Sequence, residues 1–233
     1  MNSFARIANG REDWTANASV PLHCHDQAYA AIVLSGSYEE CGSRGRFRVG
    51  PGNVLSHAAF DAHLNRFQKA GAQILNLVVD ATGFSLGHID DPDTIARTAE
   101  RDPVEAGNRL RAQLRETRQG PGDWQDALAF DLLDDPDCRL DAWATAHNLA
   151  PETLSRGFRK IFGVTPARFR AEARTRRALA LIARSDLPLA SIAAMTGFAD
   201  QAHMSRALHA ITGSPPWRWR KSNRFKTRSP EAS

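Results

Sequence analysis

Cysteine is scarce in this 233-residue chain: Cys24, Cys41 and Cys138 are too few and too scattered for a disulfide framework. They read as reduced thiols, as expected of a cytoplasmic protein. No run approaches the ~18 apolar residues of a membrane span, and the opening MNSFARIANGREDW lacks the apolar core of a secretory signal. A disulfide-stapled secreted module and a membrane-embedded partner are therefore not expected. Acid is scarce at one end only. Residues 139–228 carry 17 Lys+Arg against 5 Asp+Glu, a net of +12, whereas residues 1–138 carry 13 against 20, a net of −7. This split predicts an acidic module joined to one built for a polyanion. Hydrophobic residues at 42% and charged residues at 24% leave room for a proper core in each.

What is present is a repeat. Sliding the chain by fifty positions sets Ala144 on Ala194, Leu154 on Met204, and Ser155-Arg156 on Ser205-Arg206. It also sets Phe158 on Leu208, Ile161 on Ile211, Gly163 on Gly213, Pro166 on Pro216 and Phe169 on Trp219. In the first copy Leu140, Trp143 and Ala144 give a short helical face, and His147-Asn148-Leu149-Ala150 breaks it. Asparagine tolerates the left-handed conformation that such a break needs. Pro151 suits the first turn of a second helix, on which Leu154, Phe158, Ile161 and Phe162 form one stripe before Gly163 ends it. In the second copy Leu189, Ile192 and Ala193 make the first face and Gly197 the turn. Asp200 is the predicted N-cap of a helix bearing Met204, Leu208 and Ile211. Short helix, tight turn, second helix is a helix-turn-helix. Residues 167–184 contain no breaker and are rich in Ala, Arg and Leu, so one continuous helix is predicted to join the copies.

These residues, LDAWATAHNLAPETLSRGFRKIFGVTPARFR at 140–170 and RRALALIARSDLPLASIAAMTGFADQAHMSRALHAITGSPPWRWR at 176–220, resemble the AraC-type (AraC/XylS) family of bacterial regulators. The resemblance implies two helix-turn-helix subdomains bridged by a helix, preceded by a region that senses an effector or mediates dimerisation. It implies base-reading positions at Glu152, Ser155 and Arg156 in the first recognition helix, and at Gln201, Ala202, Ser205 and Arg206 in the second. Arginine can grip guanine O6/N7 with two bonds, and glutamine can do the same to adenine. Arg159, Lys160, Arg168 and Arg170 suit phosphates, which set affinity and register. Ala150 stands where the family commonly has a capping serine, and Ala202 can offer a base only its methyl group. Surface ion pairing is the alternative use of the two equivalent arginines. Double-stranded DNA is the implied partner, with RNA polymerase and a second copy of the chain as further contacts.

The acidic half reads differently. Residues 28–37 form an apolar run suited to a buried strand, and Arg46–Val49 alternates like a half-exposed one. Gly50-Pro51-Gly52 is a turn, Val54-Leu55 resumes a strand, and Ile74–Val79 gives another. Short strands between Gly/Pro turns predict a small antiparallel β barrel, making the whole chain α+β. With His23-Cys24-His25, Gly36, Gly45, Pro51-Gly52 and His63-Leu64-Asn65, this half resembles the single cupin barrel that serves many AraC-type proteins as sensor. Cupins often hold a metal through a His-x-His pair and a later histidine. Here His23, His25 and His63 are the candidates, with His57 in reserve. Tyr29 stands about where a metal-binding cupin has its glutamate. A divalent metal such as zinc suits these imidazoles better than calcium does, and histidines that line a pocket or are hydrogen-bonded without metal are the alternative.

Residues 93–133 read as helices: Asp102-Pro103-Val104-Glu105 resembles a capping box, Leu110 and Leu114 mark one face, and Trp124, Leu128 and Leu132 mark another. The predicted organisation is a cupin-like sensor at 1–90 and a helical linker or dimerisation region at 91–136. A double helix-turn-helix at 137–222 and a basic tail at 223–233 follow. The expected function is sequence-specific transcriptional regulation under a small-molecule or metal effector, without enzymatic activity. Two rivals are a cupin metalloenzyme, such as a dioxygenase or isomerase, fused to a DNA-binding tail, and a non-specific architectural protein. The missing glutamate counts against the first.

Overall fold

The computed structural model describes residues 7–79, 84–120, 122–135 and 138–220. The basic tail at 223–233 lies outside the described residues, as do Pro121 and the Pro136-Asp137 pair of the expected boundary. Eight strands occur among the described residues: β1 (Gly10–Trp14), β2 (Ser19–His23), β3 (Tyr29–Gly42), β4 (Gly45–Val49), β5 (Asn53–His57), β6 (His63–Leu77), β7 (Leu86–His88) and β8 (Arg115–Thr117). The helices are α1 (Pro92–Ala99), α2 (Pro103–Gln113), α3 (Trp124–Asp134), α4 (Leu140–Ala146), α5 (Pro151–Phe162), α6 (Pro166–Arg184), α7 (Leu189–Met195) and α8 (Gln201–Thr212).

The long antiparallel pair β3 and β6 is the spine of the sheet, running from Ala30 opposite Leu77 to Gly42 opposite His63. The first half of β3 also pairs with β5, and its second half with β4. The second half of β6 takes β1, and its first half takes β2. Between the halves the ladder slips around Val33–Tyr38, and glycines make the bend there. Gly36 has φ 72°, and a Cβ on it would lie 2.1 Å from the carbonyl oxygen of Gly71; Gly71 has φ 66°, and its Cβ would lie 2.2 Å from that of Trp14. Only glycine fits backbones that close.

The expectation of a closed barrel is corrected. The path runs β1-β6-β3-β5-β7-β8, and among the described residues β1 and β8 do not pair with each other. Strand and turn spacing announces how many strands there are, but closure depends on tilt and stagger that local sequence does not encode. The sheet is bent, open and two-faced. On one face Ala30, Ile32, Val54, Leu75 and Leu77 pack under α1 and α2 through Ile95, Ala96 and Leu110. On the other, Tyr29, Ala31, Tyr38, Leu55, Phe67 and Ile74 form a second core. Burial on both faces explains why residues 28–34 are apolar without alternation. Helices α1 and α2 begin at Asp91 and Asp102, whose carboxylates accept backbone N–H groups from Thr94, and from Val104 and Glu105.

Helix α3 packs elsewhere. Its Leu128, Ala129 and Leu132 join Trp143, Leu154, Phe158, Phe162 and Phe169 in the core of the first helix-turn-helix. Trp143 Nε1 also donates to Asp131 at 2.7 Å. The second copy has its own core, built on Ile182, Ile192, Met204, Leu208 and Ile211, and Phe60 of the sheet module is buried in it with Ala59 packed alongside. The Phe60 ring meets Trp219 edge-on at 4.7 Å, and its carbonyl accepts Arg176 Nε at 2.7 Å. Phe60 has φ 67°, an uncommon and costly backbone state for a bulky residue. Arg66 on β6 makes another bridge, donating to the carbonyls of Lys160 and Ile161 at the end of α5 at 2.9 and 3.0 Å, beside Cys41 and Leu64, which join the core of the first unit.

Candidate functional site

In the first unit α4 ends in a turn at Asn148, φ 53°, as predicted, and in the second α7 ends at Gly197, φ 73°. The continuous helix α6 spans 19 residues and joins the units. The repeat is not uniform, however. The first helices correspond at a spacing of 49: buried Trp143 and Ala144 answer to Ile192 and Ala193, and the bond Leu149 N–H to Ala144 C=O answers to Phe198 N–H to Ala193 C=O. The second helices keep a spacing of 50. The second turn is therefore one residue longer, which corrects the gapless pairing of Ala144 with Ala194. Asp200 caps α8 by accepting from His203 N–H at 2.6 Å, whereas Ala150 gives α5 no side-chain cap.

Leu154, Phe158 and Phe162 are the buried stripe of α5, with Ile161 half-buried; Met204, Leu208 and Ile211 are that of α8. The opposite faces are exposed: Glu152, Arg156, Arg159 and Lys160 on α5, and Gln201, Ala202 and Arg206 on α8, with Ser155 and Ser205 half-buried at equivalent places. Ser205 Oγ donates to the Gln201 carbonyl at 2.8 Å, and Arg156 Nε lies 3.3 Å from that of Glu152. Neither Arg156 nor Arg206 makes an ion pair among the described residues. Other arginines are engaged. Arg168 pairs with Glu172 at 2.8 Å, Arg170 donates to the Cys138 carbonyl at 2.6 Å, and Arg177 to that of Leu133. Arg174 donates to the Gly197 carbonyl and lies over the Phe198 ring at 4.6 Å.

The inner face of the sheet encloses a cavity of about 240 Å³, lined by Trp14, His23, His25, Tyr38, Glu40 and Asn65 among others. The histidines expected together are together. The rings of His23 and His63 are 4.3 Å apart, those of His23 and His25 5.0 Å, and those of His57 and His63 4.5 Å. Tyr29 stacks on His57 at 4.4 Å, and its hydroxyl lies 3.2 Å from His63 Nε2. His23 Nδ1 faces the Pro21 carbonyl at 2.9 Å, and His63 Nδ1 the Asp61 carbonyl at 3.3 Å. A carbonyl only accepts, so each Nδ1 carries the proton and each Nε2 keeps its lone pair. Burial lowers the pKa of both rings.

Glu40 escaped the sequence reading. It is buried on β3, where burial and then the charge of Asp61 raise its pKa well above the usual carboxylate range, Arg44 opposing. Among the described residues its Oε2 has no hydrogen-bond partner, nor has His57 Nε2 3.7 Å away, nor have Tyr38 Oη and Asn65 Oδ1. The ladder slip at Gly36 brings Tyr38 and Glu40 onto the inward face with Tyr29 and Ala31, and strict alternation would have put Glu40 outside. An acid in the pair Glu39-Glu40 following an apolar strand was the available signal.

Burial, with Arg44, His25 and His23 adding, brings the His57 pKa down to about 3. In the unfolded chain it protonates near 6.5, so between pH 6.5 and 3 the unfolded state binds a proton that the folded state refuses. Stability is present above 6.5 and is lost as pH falls; at pH 5 His57 alone removes about 2 kcal/mol. His63 acts in the same direction. Glu40 opposes, because its raised pKa stabilises the fold at low pH and withdraws that support as pH rises. Thermal melts of the metal-free Glu40→Gln chain at pH 7.5 and 5 will show a lower Tm at pH 5, and the parent, which keeps the opposing carboxyl, will show less of a drop. A Tm independent of pH in the Glu40→Gln chain, where the opposing carboxyl is gone, would show that His57 protonates freely in the folded chain.

Paired helix-turn-helix units on one continuous helix, each offering an exposed polar and basic face, define a DNA-binding regulator of transcription. Residues 143–222 match the family model described as a helix-turn-helix domain, and this segment, about a third of the chain, is an AraC-type helix-turn-helix domain. No curated protein matches the chain in sequence. Among solved structures it is similar to the C-terminal domain of AraT, a response regulator from Geobacillus stearothermophilus, at 21% identity over 49% of this chain and 95% of that one, TM-score 0.41. It is similar to ToxT from Vibrio cholerae with a bound unsaturated fatty acid, at 9% identity over 91% and 94%, TM-score 0.42. It is also similar to the DNA-binding domain of the global transcriptional factor AdpA in complex with target DNA, at 21% identity over 47% and 97%, TM-score 0.40. Among the described residues no helix is long and apolar enough to cross a membrane.

Proposed function

We propose that this protein is a sequence-specific transcriptional regulator that reads double-stranded DNA with α5 and α8 and is controlled by an effector held in the cavity of its sheet module. The observation that carries the reading is the pair of exposed arginines, Arg156 and Arg206, at equivalent places on two recognition helices and without an ion-pair partner among the described residues. An exposed arginine left without a carboxylate partner is suited to guanine O6/N7, and α6 holds the two heads at a set separation along the duplex. Arg159 and Lys160, exposed one turn further along α5, suit the phosphates.

Selection of preferred sites from random duplex DNA tests this directly. A regulator will favour its site over bulk DNA by at least ~10³, whereas equal affinity for all sequences would make the chain an architectural protein. Lys160→Ala will weaken every sequence alike and lower the slope of log K against log salt by about one. Titrations at several salt concentrations check this, and a sequence-dependent loss would move Lys160 to the base-reading set.

A further inference from the structure

We propose that Glu40, His57 and His63 together form a binding site for one divalent transition-metal ion of zinc-like preference. The proposal rests on the effector reading above and names the effector's chemical class. Each of the three residues offers one ligand atom, and these atoms lie within 4.8 Å of one another, all buried. The Glu40 Oε2 to His57 Nε2 separation is 3.7 Å. A tetrahedral ion with bonds of about 2.0–2.2 Å holds its ligand atoms roughly 3.4 Å apart, so this edge is already close to the required length.

Two observations choose this set over the neighbouring one. His23, His25 and His63 also converge within 4.8 Å, and since His63 belongs to both groups the cluster takes one ion. The first observation is the orphaned pair. Glu40 Oε2 and His57 Nε2 face each other without a hydrogen-bond partner in a fully buried place, an arrangement that costs free energy until something satisfies both. A cation does so once His57 carries its proton on Nδ1 and Glu40 gives up the proton that burial favours, since both facing atoms then present lone pairs. The second is charge. Three neutral imidazoles would leave a divalent ion's whole charge buried, whereas the Glu40 carboxylate halves it. Tyr29 stands on the same wall, its hydroxyl 3.2 Å from His63 Nε2 and its ring stacked on His57. The Tyr29 hydroxyl uses the His63 Nε2 lone pair while the site is empty, so it turns away when the ion takes that atom, and Tyr29 then positions His57 by ring stacking alone. Nitrogen with a single carboxylate oxygen selects a zinc-like ion over calcium or magnesium.

The test uses the full-length chain, stripped with chelator and then titrated with Co²⁺ and Zn²⁺. The expected result is one ion per chain, a visible Co²⁺ d–d band, and displacement of Co²⁺ by Zn²⁺. Glu40→Gln and His57→Gln will each weaken binding at least ~10-fold, while the His23→Gln/His25→Gln pair will change it by less than about threefold. Failure of the parent protein to bind an ion stoichiometrically would overturn the proposal. So would loss of the ion in the His23/His25 variant with retention in Glu40→Gln. Should Glu40→Gln not fold, X-ray absorption of the zinc-loaded parent decides: two imidazoles and a carboxylate support the site, and three imidazoles sink it. Site selection on DNA, run in parallel with chelator present, separates the two readings. Sequence preference without any metal uptake leaves the regulator standing and removes the metal site; metal uptake by a chain with no sequence preference does the reverse.

Discussion

Replacing Arg206 by alanine will flatten DNA preference at one or two base pairs, at a cost of about 1–3 kcal/mol, or roughly 5- to 150-fold, against the preferred site. The guanidinium is exposed on the second turn of α8. Asp200, the nearest acid along the chain, is committed to capping that helix. With no carboxylate to release, Arg206 gives its full donor set to a base edge, and the loss on truncation is correspondingly large. Bulk DNA affinity will fall far less, because phosphate contacts from other side chains survive. Competition binding against a panel of single-base variants of the selected site checks the result. An unchanged preference removes Arg206 from the reading face, and a uniform loss across the panel places it on a phosphate. Arg156→Ala on α5 will affect different base pairs, since the two helices are held apart by α6.

Phe158→Ala will destabilise the first helix-turn-helix by about 3–5 kcal/mol. Phe158 is fully buried, its ring stacked on Phe162 at 4.5 Å and edge-on to Phe169 at 5.3 Å. Helix α3 closes the other side with Leu128 and Leu132. The ring is surrounded by side chains that are themselves buried, so the loss includes the cavity as well as the transfer of the ring. The second unit holds Leu208 at the matching place, and Phe158→Leu will therefore cost less, about 1.5 kcal/mol. Urea denaturation measures the difference. Amide exchange adds the discriminating readout: α5 will lose protection while α8, with its separate core, keeps it. A loss below ~1 kcal/mol would mean that the aromatic cluster does not hold the unit together.

The helical half was legible because its signals are local. Stripes at i, i+4 and i+7, a left-handed Asn148 and Gly197, a proline at the start of α5 and α6, and Asp200 as a cap each act within one or two turns. Charge was legible in sum but not in use. Much of the positive charge of 139–228 holds carbonyls at element ends, as Arg170, Arg174, Arg176 and Arg177 do. The charge available to DNA is smaller than the composition suggests. The sheet was read only in part. Strand β1 is GREDW, mostly exposed at the edge of the sheet, and carries no apolar alternation to find; β7 and β8 have three residues each, too short for any period. Strand spacing put His23 and His25 on one face, and the cupin resemblance added His63 and His57, whereas Glu40 depended on a ladder slip at Gly36 that neither signal contains.

Phe60 carries one more consequence. Only five residues separate His57 from His63, and the middle one is fastened to Arg176 and Trp219. Its amide also donates to the His25 carbonyl at 2.7 Å. So short a span has no slack to absorb a displacement at either anchor. Thermodynamic reciprocity then applies: by whatever factor an occupant of the histidine cluster changes the grip on an operator, the operator changes the grip on that occupant. A promoter-bound molecule and a free one would thus respond to different concentrations of the same signal.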